Sequence, residues 1–251
     1  MYRLYLAVKD RMEKYLTARS SLIYNASVGD NHVFVADGTY FDFEGLYSKI
    51  PHVILSDANS TGERISGGFK GMELIEVDNV NSNNGKMTFK TNLLNNWTVA
   101  NSAYVQRAPG EVPVNNVVVG DLEVVKQFPC VCIVPVNEVT DWFSIPGGTK
   151  ETITIDFMIY VTDENTEEST IDMLRLTEVV KWILMSNLHI QVADADTIFA
   201  VTSVALAKNI DYGVIQKGST FLKSSKITWV ADLYVTRDYL AGREFAPYNG
   251  A

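Results

Sequence analysis

The chain has 251 residues, 47% of them hydrophobic, which is enough for one large or two small domains with packed cores. Its 21 basic and 30 acidic side chains give a formal charge of -9, which argues against a surface that holds nucleic-acid phosphates. Charges interrupt every apolar run near the start, so the sequence predicts neither a signal peptide nor a membrane-spanning helix, and it favours a soluble intracellular product.

The chain opens with an amphipathic pattern. Between Tyr2 and about Thr17, apolar residues recur at helical spacing and charged residues occupy the opposite side. The pattern predicts a helix that packs one face on the rest of the protein.

From residue 20 to 108 the sequence is rich in Asn, Gly and Ser, and short apolar runs alternate with polar residues, as is typical of β structure. Asn83-Asn84-Gly85 predicts a tight turn, since Asn and Gly accept positive φ angles. A small barrel or sandwich is the most economical arrangement, because an open sheet would expose two edges. The five strand candidates are His32–Val35, Val53–Leu55, Met72–Val77, Lys86–Lys90 and Ala103–Gln106.

Two prolines and a glycine within residues 108–113 predict a linker, because they prevent regular strand pairing. We therefore assign residues 1–19 and 109–239 to one α+β domain and residues 20–108 to an inserted β domain. Residues 240–251 are assigned to a C-terminal tail.

The second domain reads as a small mixed or antiparallel sheet covered by the first helix and by one long helix. Cys130 to Val134 is a continuous apolar run, and residues 152–161 alternate cleanly, which predicts a hairpin with a long tip. The acidic run that ends at Glu168 predicts a capped helix to about Ser186. Residues 198–206 and 227–235 predict two further strands.

The predicted long helix has an apolar stripe and a polar face. The stripe consists of Ile171, Leu174, Val180, Ile183 and Leu184. The side predicted to face water consists of Asp172, Arg175, Glu178 and Lys181.

The sequence contains no recognisable catalytic or cofactor-binding motif. Its three histidines lack zinc spacing, and no hydrolase elbow or phosphate-binding loop occurs. The run from Asp163 to Glu168 resembles half a calcium loop but lacks the required glycine. Cys130 and Cys132 are read as small buried apolar residues. The sequence therefore predicts no enzyme, no metal and no cofactor.

Large apolar residues at the predicted hairpin tip are candidate interface residues. Trp142, Phe143 and Ile145 cannot easily fold back into their own core, so contact with another subunit or a tube is favoured over packing within the domain. Leu94 and Trp97 in the inserted domain could likewise contact a partner or pack within their own domain, and the sequence favours neither.

The order of elements resembles the tail-terminator and tail-completion (neck) proteins of long-tailed bacteriophages. The likeness rests on the opening helix, the linker, the run Phe128-Pro129-Cys130-Val131-Cys132-Ile133, the hairpin, the acidic cap, the long helix and the last strand. The inserted region resembles an SH3-like barrel of virion proteins, through Gly29-Asp30, Phe43-Glu44-Gly45 and Asn84-Gly85.

The resemblance implies a virion protein that assembles in the host cytoplasm as a homo-oligomeric ring, hexameric in that family. The ring would cap the tail tube, bind the tube protein and join it to a neck or connector protein. Acidic residues at the lumen would keep passing DNA from binding, since like charges repel. The candidate lumen residues are Asp163, Glu164, Glu167 and Glu168.

Two alternatives stay open at this point. A head-completion or neck connector protein would share the same elements and bind the portal side. A carbohydrate-binding module is less favoured, and it would use Tyr24, Tyr40, Tyr47 and Trp97 for stacking. A ring would favour assembly, whereas a monomer stabilised by glycans would favour binding.

Overall fold

The fold is given by a computed structural model with two helices and fourteen strands among its described residues, so the predicted α+β class is confirmed with strands in the majority. The described residues are 2–41, 52–60, 64–65, 68–125, 127–145, 148–162, 166–186, 190–194 and 197–236. The helices are α1 (Tyr2–Leu16) and α2 (Thr166–Ser186). The strands are β1 (Arg19–Ser21), β2 (His32–Phe34), β3 (His52–Ser56), β4 (Arg64–Ile65), β5 (Gly68–Phe69), β6 (Glu73–Asn81), β7 (Lys86–Phe89), β8 (Tyr104–Arg107), β9 (Asn116–Val119), β10 (Cys130–Ile145), β11 (Gly148–Thr162), β12 (Gln191–Asp194), β13 (Thr197–Lys217) and β14 (Thr220–Thr236).

The predicted opening helix is confirmed as α1. It buries Leu4, Val8, Met12 and Leu16 almost completely, at the i, i+4 spacing that places them on one face. These side chains join the main core between the helices and the second sheet.

The first sheet is antiparallel and has the order β1-β8-β3-β6-β7-β2. Its two edges meet, because Leu22 bridges to Val35 just beyond β1 and β2. The Ile23 N–H donates to the Phe34 carbonyl at 2.9 Å, and the sheet thereby closes around its own apolar core. All five predicted strands occur, whereas the short β1 had no sequence signal.

The predicted Asn-Gly turn joins β6 to β7. Gly85 has φ +69°, and a Cβ atom at this position would collide with the carbonyl oxygen of Val35. Glycine is therefore required for both the backbone angle and the close approach.

A buried carboxylate organises one loop of this sheet. Glu73 is 6% exposed and accepts hydrogen bonds from the Leu94 N–H at 2.7 Å, the Asn95 N–H at 3.2 Å and the Trp97 indole N–H at 3.1 Å. Because a buried carboxylate needs donors and buried donors need an acceptor, Glu73 fixes the loop.

The second sheet has the order β12-β13-β14-β11-β10-β9, and every pair is antiparallel except β9 with β10. One face packs on α1 and α2. The predicted alternation along β11 is confirmed, since Ile153, Ile155, Phe157, Ile159 and Val161 are all buried on that face. Phe157 meets Trp229 of β14 edge to face, with ring centroids 6.1 Å apart.

Two predicted element boundaries are wrong. The long hairpin tip, which the sequence predicts as a loop from Asn137 to Lys150, is strand as far as Ile145 and again from Gly148. Pairing resumes after a bulge at Val136, runs to Asp141 opposite Lys150, and after a second irregularity places Ile145 opposite Gly148. The strand predicted to end at Leu206 continues to Lys217, past a bulge at Lys208. Each bulge breaks the period-two pattern that the sequence reading relied on.

The predicted stripe of α2 is wrong in its N-terminal half. Ile171 and Leu174 are 41% and 42% exposed, whereas Asp172, which was predicted to face water, is 1% exposed. In this half the helix instead buries Met173 and Leu176 in the core, and the Thr177 and Ser225 hydroxyl oxygens lie 2.5 Å apart. The buried face is therefore rotated from the predicted one at this end of the helix.

The closed sheet is bonded to the rest of the protein. The Arg107 guanidinium donates to the Lys14 carbonyl near the end of α1 at 3.1 Å, and the Gln106 side-chain amide donates to the Val114 carbonyl at 2.7 Å. Within the predicted linker, Ala108 and Val112 are fully buried. The division into domains stays a prediction, and the tail 240–251 and the Phe43-Glu44-Gly45 motif lie outside the described residues.

We expect Glu73→Gln to destabilise the protein by about 1–3 kcal/mol, because the new amide would point a donor at a buried donor. Glu76→Gln is the control, since Glu76 only pairs with the partly exposed Lys90 and should cost at most about 1 kcal/mol. Urea unfolding followed by circular dichroism measures both, and equal effects would contradict the role of Glu73.

We also expect Leu176→Ala on α2 to cost about 2–5 kcal/mol, since Leu176 is fully buried. Ile171→Ser should change stability by only about 0.5 kcal/mol. Thermal unfolding measures the loss of stability in both variants. A larger loss for Ile171→Ser than for Leu176→Ala would show that the face predicted from the sequence is the buried one.

Candidate assembly surface

The second sheet has two long edges without strand partners. Pairing of β13 with β12 ends at Val201, and pairing of β10 with β9 ends at Ile133. Within the described ranges, no strand pairs with the outer side of residues 202–217 or 134–145. We call these stretches the β13 edge and the β10 edge. Unpaired backbone groups on such an edge are a template for another strand.

Exposed apolar side chains lie on the same strands. Val136 and Val139 of the β10 edge are 54% and 55% exposed, and Tyr212 and Val214 of the β13 edge are 55% and 54% exposed. Monomeric proteins usually protect long edges with charges, prolines or bulges, and both edges carry such features, among them Pro135 and Lys208. The exposed apolar side chains lie beside them, and exposed apolar groups of this size are common at contact sites.

The two edges lie partly at the same height in the sheet. Successive register pairs connect Val134 through β11 and β14 to Asn209, and they connect Thr140 in the same way to Thr202. Both edges are open between these two levels. Beyond Val134, β9 pairs with β10, and beyond Thr202, β12 pairs with β13. Both β9 and β12 contact α1.

The charges on the two edges differ. The β10 edge carries Glu138 and Asp141, whereas the β13 edge carries Lys208 and an Asp211 that is already paired with Lys226 at 3.1 Å. Lys217 at the end of the β13 edge donates to the Leu122 carbonyl at 2.7 Å. The β10 edge is thus acidic, and Lys208 offers it an opposite charge.

The face of the sheet opposite the helices is polar and is crossed by ion pairs. Lys150 contacts Asp232 at 2.9 Å, and the Thr228 hydroxyl donates to Asp156 at 2.6 Å. Desolvation acts to raise the pKa of Asp232, but hydrogen bonds from Lys150 and from the Thr152 hydroxyl lower it below its usual value. A hydrogen bond with Asp211 raises the pKa of Lys226. Lys150 and Lys226 are therefore each held in an ion pair with an aspartate.

The other end of this face is covered by residues 120–125 and 127–129. Beneath them Cys130 and Cys132 are free thiols with 0% exposure, as predicted. Burial raises the pKa of the neighbouring Tyr160 to about 12. These groups belong to a small apolar cluster and have no access to a substrate.

The predicted interface residues Trp142, Phe143 and Ile145 lie on the β10 edge rather than in a loop. Their side chains are outside the described part of the structure. Their backbone lies on the outer strand of the hairpin, on the side where β10 has no described partner, and their role in a subunit or tube contact stays a prediction.

The predicted lumen residues fall in two groups. Asp163 and Glu164 lie outside the described residues. Glu167 is exposed and Glu168 half-buried in the first turn of α2, where negative charge complements the helix dipole. The lumen role of all four stays a prediction.

The structure separates the two residues predicted as contacts of the insertion. Leu94 is 78% exposed, whereas Trp97 is 4% exposed and donates its indole N–H to Glu73. Trp97 therefore cannot stack on a sugar. Tyr24 and Tyr40 are exposed, and Tyr47 lies outside the described residues.

The sequence matches no protein-family model, and its comparison with curated proteins gives no significant match. Neither described helix is both long and apolar enough to cross a membrane. The described residues contain no group of three or more His, Cys, Asp or Glu side chains suited to a metal ion.

Proposed function

We propose that this chain is a ring-forming structural protein of a bacteriophage virion, of the tail-terminator type. It would cap the tail tube and join it to the neck, after assembly in the host cytoplasm. The observation that carries the proposal is the presence of two open, apolar edges on opposite sides of one sheet. This role needs no catalytic residue and no cofactor.

Strand direction makes the two edges complementary. The strands β13, β14, β11 and β10 alternate in direction, so β10 of one copy would run antiparallel to β13 of the next. Pairing would continue the antiparallel ladder and satisfy the open backbone groups. The contact joins different surfaces of two copies, and such head-to-tail contacts generate rings when the rotation closes.

The dimensions suit a hexamer. With strands about 4.8 Å apart, six four-stranded sheets have a circumference of about 115 Å. The side chains that project inward from this cylinder leave a passage about 25 Å wide, which admits a DNA duplex. Strand tilt, as in closed barrels, would shift the register between copies, so that Tyr212 and Val214, which lie beyond the common level, also face the neighbouring β10 edge, and it would widen the passage beyond this value.

The polar face suits the wall of such a passage. The helices occupy the opposite face, so the face with Asp156, Asp211 and Asp232 is the one free to line the lumen. Its two lysines are neutralised by carboxylates, so they offer little to DNA phosphates. Glu167 and Glu168, together with Asp163 and Glu164, would add negative charge at one mouth.

The closed first sheet supports the SH3-like module that the sequence resembles. In this proposal it is an attachment carried by each subunit, and the tube protein and a neck protein are the partners of the ring. A head-completion or neck connector would use the same edges, and it differs only in binding the portal side.

The proposal is tested with the variant Tyr212→Asp/Val214→Asp, which adds negative charge to the exposed β13 edge without touching the core. We expect the wild type to form uniform rings, by light-scattering mass and negative-stain microscopy, that seat on tail-tube ends. The variant should stay at 28.0 kDa, because two further carboxylates would face the acidic β10 edge of the next copy.

The control is Ile171→Asp/Leu174→Asp, which places the same charges on exposed apolar positions of α2 and should leave the rings intact. Rings that bind portal complexes but ignore tubes would favour the connector alternative. Rings that survive Tyr212→Asp/Val214→Asp, or a wild type that stays monomeric with tubes present, would contradict the proposal.

A further inference from the structure

The turn between β6 and β7 places a side-chain amide beside a backbone nitrogen that can attack it. Asn84 is exposed, and its Oδ1 atom accepts a hydrogen bond from the Lys86 N–H at 3.0 Å. A bond of this kind, from a side chain to the backbone two residues on, holds the amide next to the intervening Gly85 peptide group. In the described part of the chain, the Gly85 N–H donates to no other group.

Three features of the turn favour attack of the Gly85 nitrogen on the Cγ atom of Asn84. Gly85 has no Cβ atom to obstruct the approach. The Lys86 N–H points at the Asn84 oxygen on which negative charge would develop, as a donor of an oxyanion hole does. Removing the proton from the Gly85 nitrogen breaks no hydrogen bond among the described residues.

We propose that Asn84 is a site of spontaneous deamidation in the folded protein. The Gly85 nitrogen gives its proton to solvent base and bonds to Cγ of Asn84. The bond from Cγ to Nδ2 then breaks, and the nitrogen takes a proton from solvent and leaves as ammonia. Water opens the resulting five-membered succinimide ring at either of its two carbonyl carbons, which yields aspartate or isoaspartate, and no oxidant or reductant takes part.

The isoaspartate product would loosen the closed first sheet. It adds one carbon atom to the main chain at position 84, directly before Gly85. The Gly85 carbonyl accepts from the Val35 N–H at 2.9 Å, and Gly85 lies so close to the Val35 carbonyl oxygen that no Cβ atom fits. A lengthened backbone would displace Gly85 from this contact, whereas ordinary aspartate leaves the backbone unchanged.

The same turn contains a matched internal control. Asn81 is exposed, and its Oδ1 atom accepts from the Asn83 N–H at 3.1 Å, but the residue that follows it is Ser82, which has a Cβ atom. A second Asn-Gly pair, Asn249-Gly250, lies outside the described residues. It reports whether the conditions used allow an Asn-Gly pair of this chain to react.

The test incubates the intact folded protein in mildly alkaline buffer and follows the three asparagines by peptide mass spectrometry, with fragmentation that separates isoaspartate from aspartate. We expect Asn84 to react at least about tenfold faster than Asn81, because only Asn84 precedes a glycine. The rate should rise with pH, since the attacking nitrogen must lose a proton. An Asn84 that stays intact while Asn249 reacts, or that reacts no faster than Asn81, would overturn the inference.

A second measurement tests the effect on the sheet. The isoaspartate form, isolated by chromatography, should exchange the Val35 amide hydrogen faster than the unmodified protein, because the bond to the Gly85 carbonyl is lost. Asn84→Asp is the control, since it adds the same charge without lengthening the backbone, and it should keep the slow exchange. Equal exchange rates in these two proteins would show that the modification does not open the sheet.

Discussion

Backbone hydrogen bonding at the sheet edges is the constraint on which this structure depends. The first sheet satisfies it internally, because Leu22 and Val35 join its two outer strands. Among the described residues, the second sheet satisfies it at its edges only where β9 and β12 lie, and the rest of the β10 and β13 edges has no strand partner. The same edges carry Val139 and Tyr212, so open backbone and exposed apolar side chains lie on the same strands. The proposed ring would satisfy both edges at once.

Two kinds of surface follow from this difference between the sheets. The second sheet offers directional backbone pairing, which fixes orientation and can propagate from copy to copy. The outer strands of the first sheet are bridged to each other, and several of its exposed apolar residues, among them Val28 and Leu94, lie on loops held by Glu73 and by two asparagines.

The sequence predicted the features that rest on local chemistry. These include α1, the Asn-Gly turn, the alternation along β11 and the burial of both cysteines. It failed where tertiary context decides. Bulges at Val136 and Lys208 hid the length of the hairpins. The first turns of α2 bury Asp172 and leave Ile171 and Leu174 exposed, whereas Ile183 and Leu184 of the predicted stripe are buried. Trp97 was ambiguous from sequence, because the buried Glu73 that binds its indole lies 24 positions away. The open edges depend on which strands pair, so no local pattern reveals them.

The most direct test is an electron cryo-microscopy structure of the assembled protein at a resolution that traces the backbone. Our account predicts that β13 of each subunit pairs antiparallel with β10 of its neighbour, with Tyr212 and Val139 buried at the contact. A ring in which both edges still face solvent would show that assembly uses another surface, and it would contradict the central role given to the open edges.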